Sequence, residues 1–402
     1  MNIIVLTNEP FPIGMAATNR ILSISKGIVE NSHWVKVVIL QPTEKISNEV
    51  RNELTKGTYN GIEFEYSSCV TIWPKNKVNK GFCKFKGIVN AIRIIYSVRK
   101  AKTISCFLLI SNSFADIIVF YFVSKVLKVK YIQEKSEFPF VLNKKSLFGK
   151  LYAYLYIKYT YKCFDGMIIM TKHLYNFFTP RVKRNAKLIL VPMTVEPERF
   201  VNNQIKVNEL SKYIAYCGYM GGNKDGVPIL IDAFKIVSNK YDNLKLYLIG
   251  YTSNVDEYNV LKQKIKDLDL GDKVVFTGKV NRDVIPAYLC NASLLVLARP
   301  SSMQSQGGFP SKLGEYLSTG NPVVVTRVGE IPDYLTDGVT AFLADPDSAE
   351  AFAKKIDYVL SNPSLAQKVG LAGREVAFNT FNYRMQSKKI VDFIENLQND
   401  GI

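Results

Sequence analysis

Residues 294–326 read LLVLARPSSMQSQGGFPSKLGEYLSTGNPVVVT, and this stretch decides the fold. It opens on Leu294–Leu297, four apolar residues of a length suited to a buried strand. A polar loop with two glycines follows. At Pro310-Ser311 a helix begins, with proline and serine as its start signals. It stops before Gly320, and Pro322–Thr326 is a second buried strand. Two largely apolar strands joined through a helix form the repeating unit of a parallel sheet covered on both faces.

The same stretch carries the sharpest chemistry. Gly307-Gly308 are expected to let backbone N–H groups approach a ligand closely. A helix start offers unpaired N–H groups and the positive end of a dipole, which suits a diphosphate. Lys312 in the first turn opposes that dipole, so it asks for an anion. Glu315 lies one turn after Ser311 on the same face and can accept from two ribose hydroxyls. Arg299, at the loop's start, is a further source of positive charge.

Working outward, strand and helix patterns alternate along all 402 residues. Strands are expected at Ile3–Thr7, Val35–Leu40, Cys106–Ile110, Lys130–Gln133, Gly166–Met170 and Leu188–Val191, with helices such as Ala17–Glu30 and Lys86–Lys100 between them. The plan repeats at Tyr213–Cys217, Lys245–Ile249, Val274–Thr277, Leu294–Leu297, Pro322–Thr326 and Ala341–Ala344. The expected fold class is α/β, with two doubly wound, Rossmann-like domains facing across a cleft. Their expected bounds are 1–195 and 196–380, joined through the polar segment Thr194–Ser211. A last helix within 381–402 is expected to pack back on the first domain. After the strand Tyr213–Cys217 comes a second glycine loop, Gly218-Tyr219-Met220-Gly221-Gly222-Asn223-Lys224-Asp225-Gly226, in which Lys224 points a cation toward the site. It matches neither a P-loop nor the dinucleotide fingerprint.

The net charge of +17 is one-sided. Residues 1–200 hold 30 Lys+Arg against 13 Asp+Glu, and residues 201–402 hold 22 of each. Such asymmetry points to a polyanionic partner, an anionic membrane or nucleic acid. Two apolar, aromatic and lysine-rich stretches, Lys80–Lys102 and Lys144–Lys162, suit a membrane interface. The six cysteines are scattered with no C-x-x-C pair, which argues for reduced thiols. With only His33 and His173, a histidine metal site is not expected. Asp267-Leu268-Asp269 and Asp345-Pro346-Asp347 resemble a D-x-D metal motif but sit at a helix end and a turn, so they read as structural. Met1 leads straight into Ile3–Leu6, so no secretory leader is expected. Ile104–Val123 contains Ser111, Asn112 and Asp116 and splits into a strand and a helix rather than a span.

On these residues the second half resembles the donor domain of the family-four retaining glycosyltransferases (glycosyl transferases group 1, bacterial polysaccharide and glycolipid type). Its motifs are Gly308-Phe309-Pro310-Ser311-Lys312-Leu313-Gly314-Glu315-Tyr316, Val274–Gly278 and Asp337–Leu343. The resemblance implies the GT-B fold, a nucleotide-sugar donor and retention at the anomeric carbon, with no cofactor and no metal. The implied donor-binding residues are Gly14 of the Pro10–Gly14 loop, Gly218, Tyr219, Lys224, Arg299, Gly307, Gly308, Phe309, Pro310, Ser311, Lys312, Leu313 and Glu315. Lys224 and Glu315 are the implied catalytic residues, Glu315 holding the ribose. The family's first glutamate falls at Gly307, and its diphosphate-binding arginine falls at Tyr219, so the chain departs from the pattern twice. Where the family often has a histidine facing the reacting sugar, this chain has Glu134–Pro139. Glu137, or else Ser136, is the candidate there, with Thr171 and His173 after the next strand.

The expected activity is transfer of a sugar to a glycan or lipid-linked acceptor, on the inner face of a membrane and from the cytoplasm. Alternatives are a GT-B protein of another reaction class, such as an epimerase, or an inactive homologue that still binds sugar nucleotides. A nucleic-acid partner fits the charge but leaves the glycine loops of the neutral half without a purpose.

Overall fold

The structure, a computed structural model, describes residues 1–45, 50–143, 145–201, 212–252 and 254–399. The chain divides into two compact units, Met1–Thr194 with Tyr383–Ile402, and Val195–Asn382.

Unit 1 runs β1 (Asn2–Thr7), α1 (Ala16–Glu30), β2 (Trp34–Ile39), β3 (Lys56–Tyr59), β4 (Ile62–Tyr66), α2 (Lys77–Ala101), β5 (Cys106–Ile110), α3 (Phe114–Leu127), β6 (Lys130–Lys135), α4 (Leu147–Tyr159), β7 (Gly166–Ile169), α5 (Lys172–Phe178) and β8 (Lys187–Leu190). The sheet order is β3-β4-β2-β1-β5-β6-β7-β8. All pairs are parallel except β3 with β4. That hairpin turns on Asn60-Gly61, both at positive φ, the pair that a two-residue type I′ turn favours. Side-chain caps start the helices beyond the carboxyl ends. Ser113 accepts from the Asp116 N–H, Ser146 from Gly149 and Thr171 from Leu174. One face of the sheet packs Ile3, Val5, Val37, Leu108 and Ile132 against Ile21, Leu22 and Ile28 of α1.

Unit 2 runs β9 (Tyr213–Cys217), α6 (Val227–Ser238), β10 (Lys245–Ile249), α7 (Val255–Asp267), β11 (Val274–Gly278), α8 (Ile285–Cys290), β12 (Leu294–Leu297), α9 (Met303–Gly307), α10 (Ser311–Ser318), β13 (Val323–Thr326), α11 (Ile331–Tyr334), β14 (Phe342–Ala344), α12 (Ala349–Ser361) and α13 (Pro363–Asn379). Its six strands are all parallel in the order β11-β10-β9-β12-β13-β14. The chain then returns to unit 1 as α14 (Tyr383–Asn399). There Ile390, Val391, Phe393, Ile394 and Leu397 join the core face that α1 covers. Contact between α1 and α14 is close because Gly27 has no side chain, and a Cβ there would run into Ser387.

Four expectations change. The loop after β12 contains a helix, α9, which Ser302 and Ser305 start by a reciprocal capping box. Strand β6 continues to Lys135, so Glu134 and Lys135 are buried strand residues rather than loop. Helix α2 starts at Lys77, nine residues before Lys86, with Asn76 as its cap. In the connecting segment, Pro197–Phe200 forms a 3-10 turn with Phe200 buried. Residues 202–211 of that connection, and Lys144, lie outside the described residues.

Both sheets have a point where neighbouring strands lead off in opposite directions. In unit 1 it lies between β1 and β5, and in unit 2 between β9 and β12. Loops diverge there at the carboxyl ends and leave a crevice, the usual ligand position in such sheets.

Candidate functional site

In unit 2 the crevice is walled by Gly218–Gly226 after β9 and by Ala298–Pro310 after β12, with α10 beginning at its floor. Two glycines let these parts close on one another. Gly226 has φ +67, and a Cβ there would strike the Ala298 carbonyl of the facing loop. A Cβ on Gly218 would strike the Lys312 ammonium. The ammonium therefore lies directly beneath the first residue of the glycine loop.

Lys312 is held in place. Its Nζ donates to Asp225 Oδ2 and, at 3.1 Å, to the Tyr216 hydroxyl. Nζ also sits over the Tyr216 ring, 4.7 Å from the centroid. The Tyr216 hydroxyl lies 3.0 Å from Asp225 Oδ2 and 2.8 Å from the Tyr219 carbonyl, either of which can accept its proton. Burial alone would push the Asp225 carboxyl up. The Lys312 ammonium, its hydrogen bond and the Arg299 charge outweigh burial and hold it below its ordinary value. Farther along α10, the Cys217 N–H donates to the Tyr316 hydroxyl at 2.6 Å, tying the helix to the end of β9.

Glu315, between Lys312 and Tyr316, keeps 24% of its side chain exposed. Burial raises its carboxyl above the ordinary value, and Arg199, Arg282 and Lys312 pull it back. The nearest of these ion pairs is Arg199 Nη1 to Glu315 Oε1, 3.7 Å.

The other expected donor residues fall differently. Lys224 is exposed on the turn opposite α10, and its N–H donates to the Gly222 carbonyl. Tyr219, where the family has arginine, is half-buried with its ring edge against Tyr251. Phe309 packs on Tyr334 and Phe381, and Leu313 is fully buried, so both brace the helix start from behind. Pro310 is the cap of α10 in extended backbone and Ser311 its first residue. Two expectations are corrected. The Gly308 N–H is not offered to a ligand, because it donates to the Gln304 carbonyl at the end of α9, where Gly307 is buried. Arg299 does not line an open crevice. It is 2% exposed, with Nη2 donating to the Gln304 carbonyl at 3.3 Å.

In unit 1 the crevice carries Gly14 in the Pro10–Gly14 loop. A Cβ on Gly14 would strike Thr18, whose hydroxyl donates to the Pro10 carbonyl at 2.7 Å. Asn52 fixes the loop by accepting from the Ile13 N–H at 2.9 Å and donating to the Ile13 carbonyl at 2.8 Å. Around the strand ends, Asn8 and Ser111 both donate to Asp116. Glu134 pairs with Arg20 at 2.5 Å, and Lys135 donates to Asn112. Burial brings the Lys135 ammonium down to about 8. Glu137 is exposed beyond β6. Burial, and then the Glu137 charge, raise the carboxyl of Glu9. Ser136 donates to Glu134 at 2.6 Å. Thr171 is spent as the cap of α5, and His173 is exposed on that helix.

Asp347 accepts from the Ser301 N–H at 3.2 Å, so the second D-x-D stretch serves the loop after β12. Among the described residues no three His, Cys, Asp or Glu side chains form a metal cluster.

A family model, Glycosyl transferases group 1, matches residues 197–376. The matched stretch spans most of unit 2. The chain is 21% identical over 260 residues to lipopolysaccharide 1,2-N-acetylglucosaminetransferase of Salmonella typhimurium, covering 56% of this chain and 67% of that one. It is 22% identical over 309 residues to the alpha-1,3/1,6-mannosyltransferase ALG2 of Dictyostelium discoideum, covering 68% and 71%. Among solved structures, sucrose-phosphate synthase from Thermosynechococcus elongatus superposes with a TM-score of 0.74 at 15% identity, over 100% of both chains. The fold is GT-B.

The sequence alone missed Asp225, Tyr216, Arg199 and Arg282 as neighbours of the charged residues on α10. Asp225 stood beside Lys224 in the quoted loop, but only the fold brings it to Lys312.

Proposed function

We propose that the chain is a retaining glycosyltransferase that moves a sugar from a nucleoside-diphosphate donor to a glycan or lipid-linked acceptor in surface polysaccharide or glycolipid synthesis. The observation that carries this reading is the Lys312 ammonium lodged under Gly218, with Glu315 one turn farther along the same helix face. A cation beneath a glycine loop suits a diphosphate, and a carboxylate beyond it suits ribose hydroxyls. Lys224, Lys312 and the start of α10 stabilise the charge that grows on the leaving diphosphate, which asks for no metal. In the reaction, the bond from the anomeric carbon to the diphosphate oxygen breaks and a bond to the acceptor oxygen forms on the same face. The departing phosphate takes the acceptor's proton. Unit 1 takes the acceptor, with Glu137 and the Glu9 carboxyl at the strand ends as its polar contacts.

The acceptor side works at an anionic membrane, from the cytoplasm. No acidic residue occurs in 66–115 or 138–164. Leu147 and Phe148 at the start of α4 are each 88% exposed, and Leu151, Tyr154 and Leu155 follow on the same helix beside Lys150 and Lys158. An apolar, basic helix of this kind lies in a bilayer interface rather than crossing it. Among the described residues no helix is long and apolar enough to cross a membrane.

The test is donor binding and hydrolysis across UDP-, GDP-, ADP- and TDP-sugars, with Glu315→Ala and Lys224→Ala alongside wild type. One donor bound, and weakened by both substitutions, upholds the reading. Binding of no sugar nucleotide overturns it.

A further inference from the structure

Glu315 is gripped from outside its own helix. The 3-10 turn Pro197–Phe200, at the start of unit 2, packs against α10 and α8. Arg199 leaves that turn with its guanidinium 5.6 Å from the centroid of the Phe200 ring. One nitrogen, Nη2, donates to the Arg282 carbonyl at 2.8 Å, and the other, Nη1, faces Glu315 Oε1 at 3.7 Å. Arg282 in turn pairs with Glu196 through Nη2 at 3.3 Å. Two adjacent arginines, Arg199 and Arg282, are thus flanked by the carboxylates of Glu315 and Glu196.

The distances matter. A guanidinium is a rigid planar fork, so fixing one edge on the Arg282 carbonyl aims the other edge. At 3.7 Å the pair is an ion pair and not a hydrogen bond. Glu315 feels the charge while its lone pairs stay available to other donors. The carboxylate form offers both oxygens as strong, charge-assisted acceptors to two hydroxyls, whereas a protonated carboxyl commits one oxygen to donating.

We propose that Arg199 is a positioning residue of the donor site, holding Glu315 ionised and aimed so that both ribose hydroxyls of a nucleoside diphosphate can donate to it. This rests on the donor-site reading above. The groups that face Glu315 are Arg199, Arg282 and Lys312, which favour the carboxylate, and Glu196, which opposes it, with Cys217 and Tyr316 alongside. Removing Arg199 deletes the first of the three cations, so Glu315 keeps its proton to higher pH and its hold on the ribose weakens most on the acid side.

The experiment uses the full chain and the tightest binder among UDP, GDP and ADP, each against its 2′,3′-dideoxy counterpart. Binding is titrated calorimetrically at pH 6, 7.5 and 9. Wild type should prefer the ribonucleotide roughly 10- to 100-fold, the range expected when hydroxyls bond a charged group. Arg199→Met should shrink that preference at least severalfold, most at pH 6 and least at pH 9. Arg199→Lys should keep most of it. A merely structural role would weaken both nucleotides alike at every pH. An unchanged preference in Arg199→Met, with Glu315→Ala abolishing it, overturns this inference and leaves the donor reading standing. An unchanged preference in Glu315→Ala overturns both. If Arg199→Met does not fold, Arg282→Met carries the comparison with a smaller shift of the same sign, and no shift in it overturns the proposal.

Discussion

In unit 2 the charges at the strand ends answer one another. Lys312 meets Asp225, Arg199 meets Glu315 and Arg282 meets Glu196, each pair bridging two different elements. In unit 1 the buried Arg20 and Glu134 are matched as closely, but the outer helices are not. From residue 66 to 164 the acidic residues are Asp116, Glu134 and Glu137, and the first two are buried. Over the same span α2 and α4 expose Phe82, Phe85, Leu147 and Phe148. Two sheets of one plan thus treat charge differently. The unit with balanced charge spends it on geometry at a crevice. The basic unit displays it outward, beside apolar side chains, as a surface for an anionic partner.

The largest effect should come from splitting a pair in unit 2. Lys312→Met leaves Asp225 buried and uncompensated, at a cost of about 3–5 kcal/mol. For a unit of this size that lowers the melting midpoint by roughly 10 °C, measurable by scanning calorimetry. Adding Asp225→Asn should restore most of the loss, and a double variant no better than the single one would deny the pairing. The same pair sets a pH dependence. Asp225 is held below its ordinary value, so the unfolded chain binds its proton more readily than the folded one. Its contribution is complete above about pH 5 and is lost as pH falls toward the depressed folded value. Urea midpoints at pH 7 and pH 3 should therefore differ by more in wild type than in the Lys312→Met/Asp225→Asn variant.

Next in size, Glu315→Ala should weaken nucleotide-sugar binding by about a hundredfold, given roughly 1.5–3 kcal/mol for each hydrogen bond to a charged group. Its melting midpoint should hardly move, because the residue is partly exposed. In unit 1 the expected effect appears only with lipid present. Changing Leu147 and Phe148 to Glu should cut partition onto phosphatidylserine-containing vesicles tenfold or more, since each apolar side chain gains about 1.5–3 kcal/mol on burial. Donor hydrolysis in solution should stay as it was. Equal binding to neutral vesicles would remove the lysines from the account. The smallest effect is reserved for His173→Ala, an exposed change worth within about 0.5 kcal/mol. A large loss of activity there would return His173 to the site.

Much of the fold was legible because buried parallel strands announce themselves. Leu294–Leu297 is apolar throughout and Val323–Thr326 up to its last residue, and no other element suits such short runs. The hairpin β3–β4 was overlooked although Asn60-Gly61 marked it, since its strands alternate polar and apolar residues at the sheet's edge. Helix α9 was hidden because serine, glutamine and glycine read as loop, and the capping box of Ser302 and Ser305 shows only in three dimensions. At the candidate site, Lys312 and Glu315 could be singled out because a helix start has its own electrostatics. Their partners could not, because Asp225 and Arg199 lie 87 and 116 residues away along the chain. Arg299 misled for a related reason. An arginine beside a glycine loop reads as a ligand contact until its enclosure is seen.

The return of α14 to unit 1 has a consequence for synthesis on the ribosome. The core face that α1 covers is unfinished until Ile390, Phe393 and Ile394 have left the exit tunnel, by which time all of unit 2 has emerged. Unit 2 is thus free to fold first, while the earlier-made unit 1 waits with an open apolar face, and chaperones that bind nascent chains should engage residues 1–194 for longer than residues 195–382.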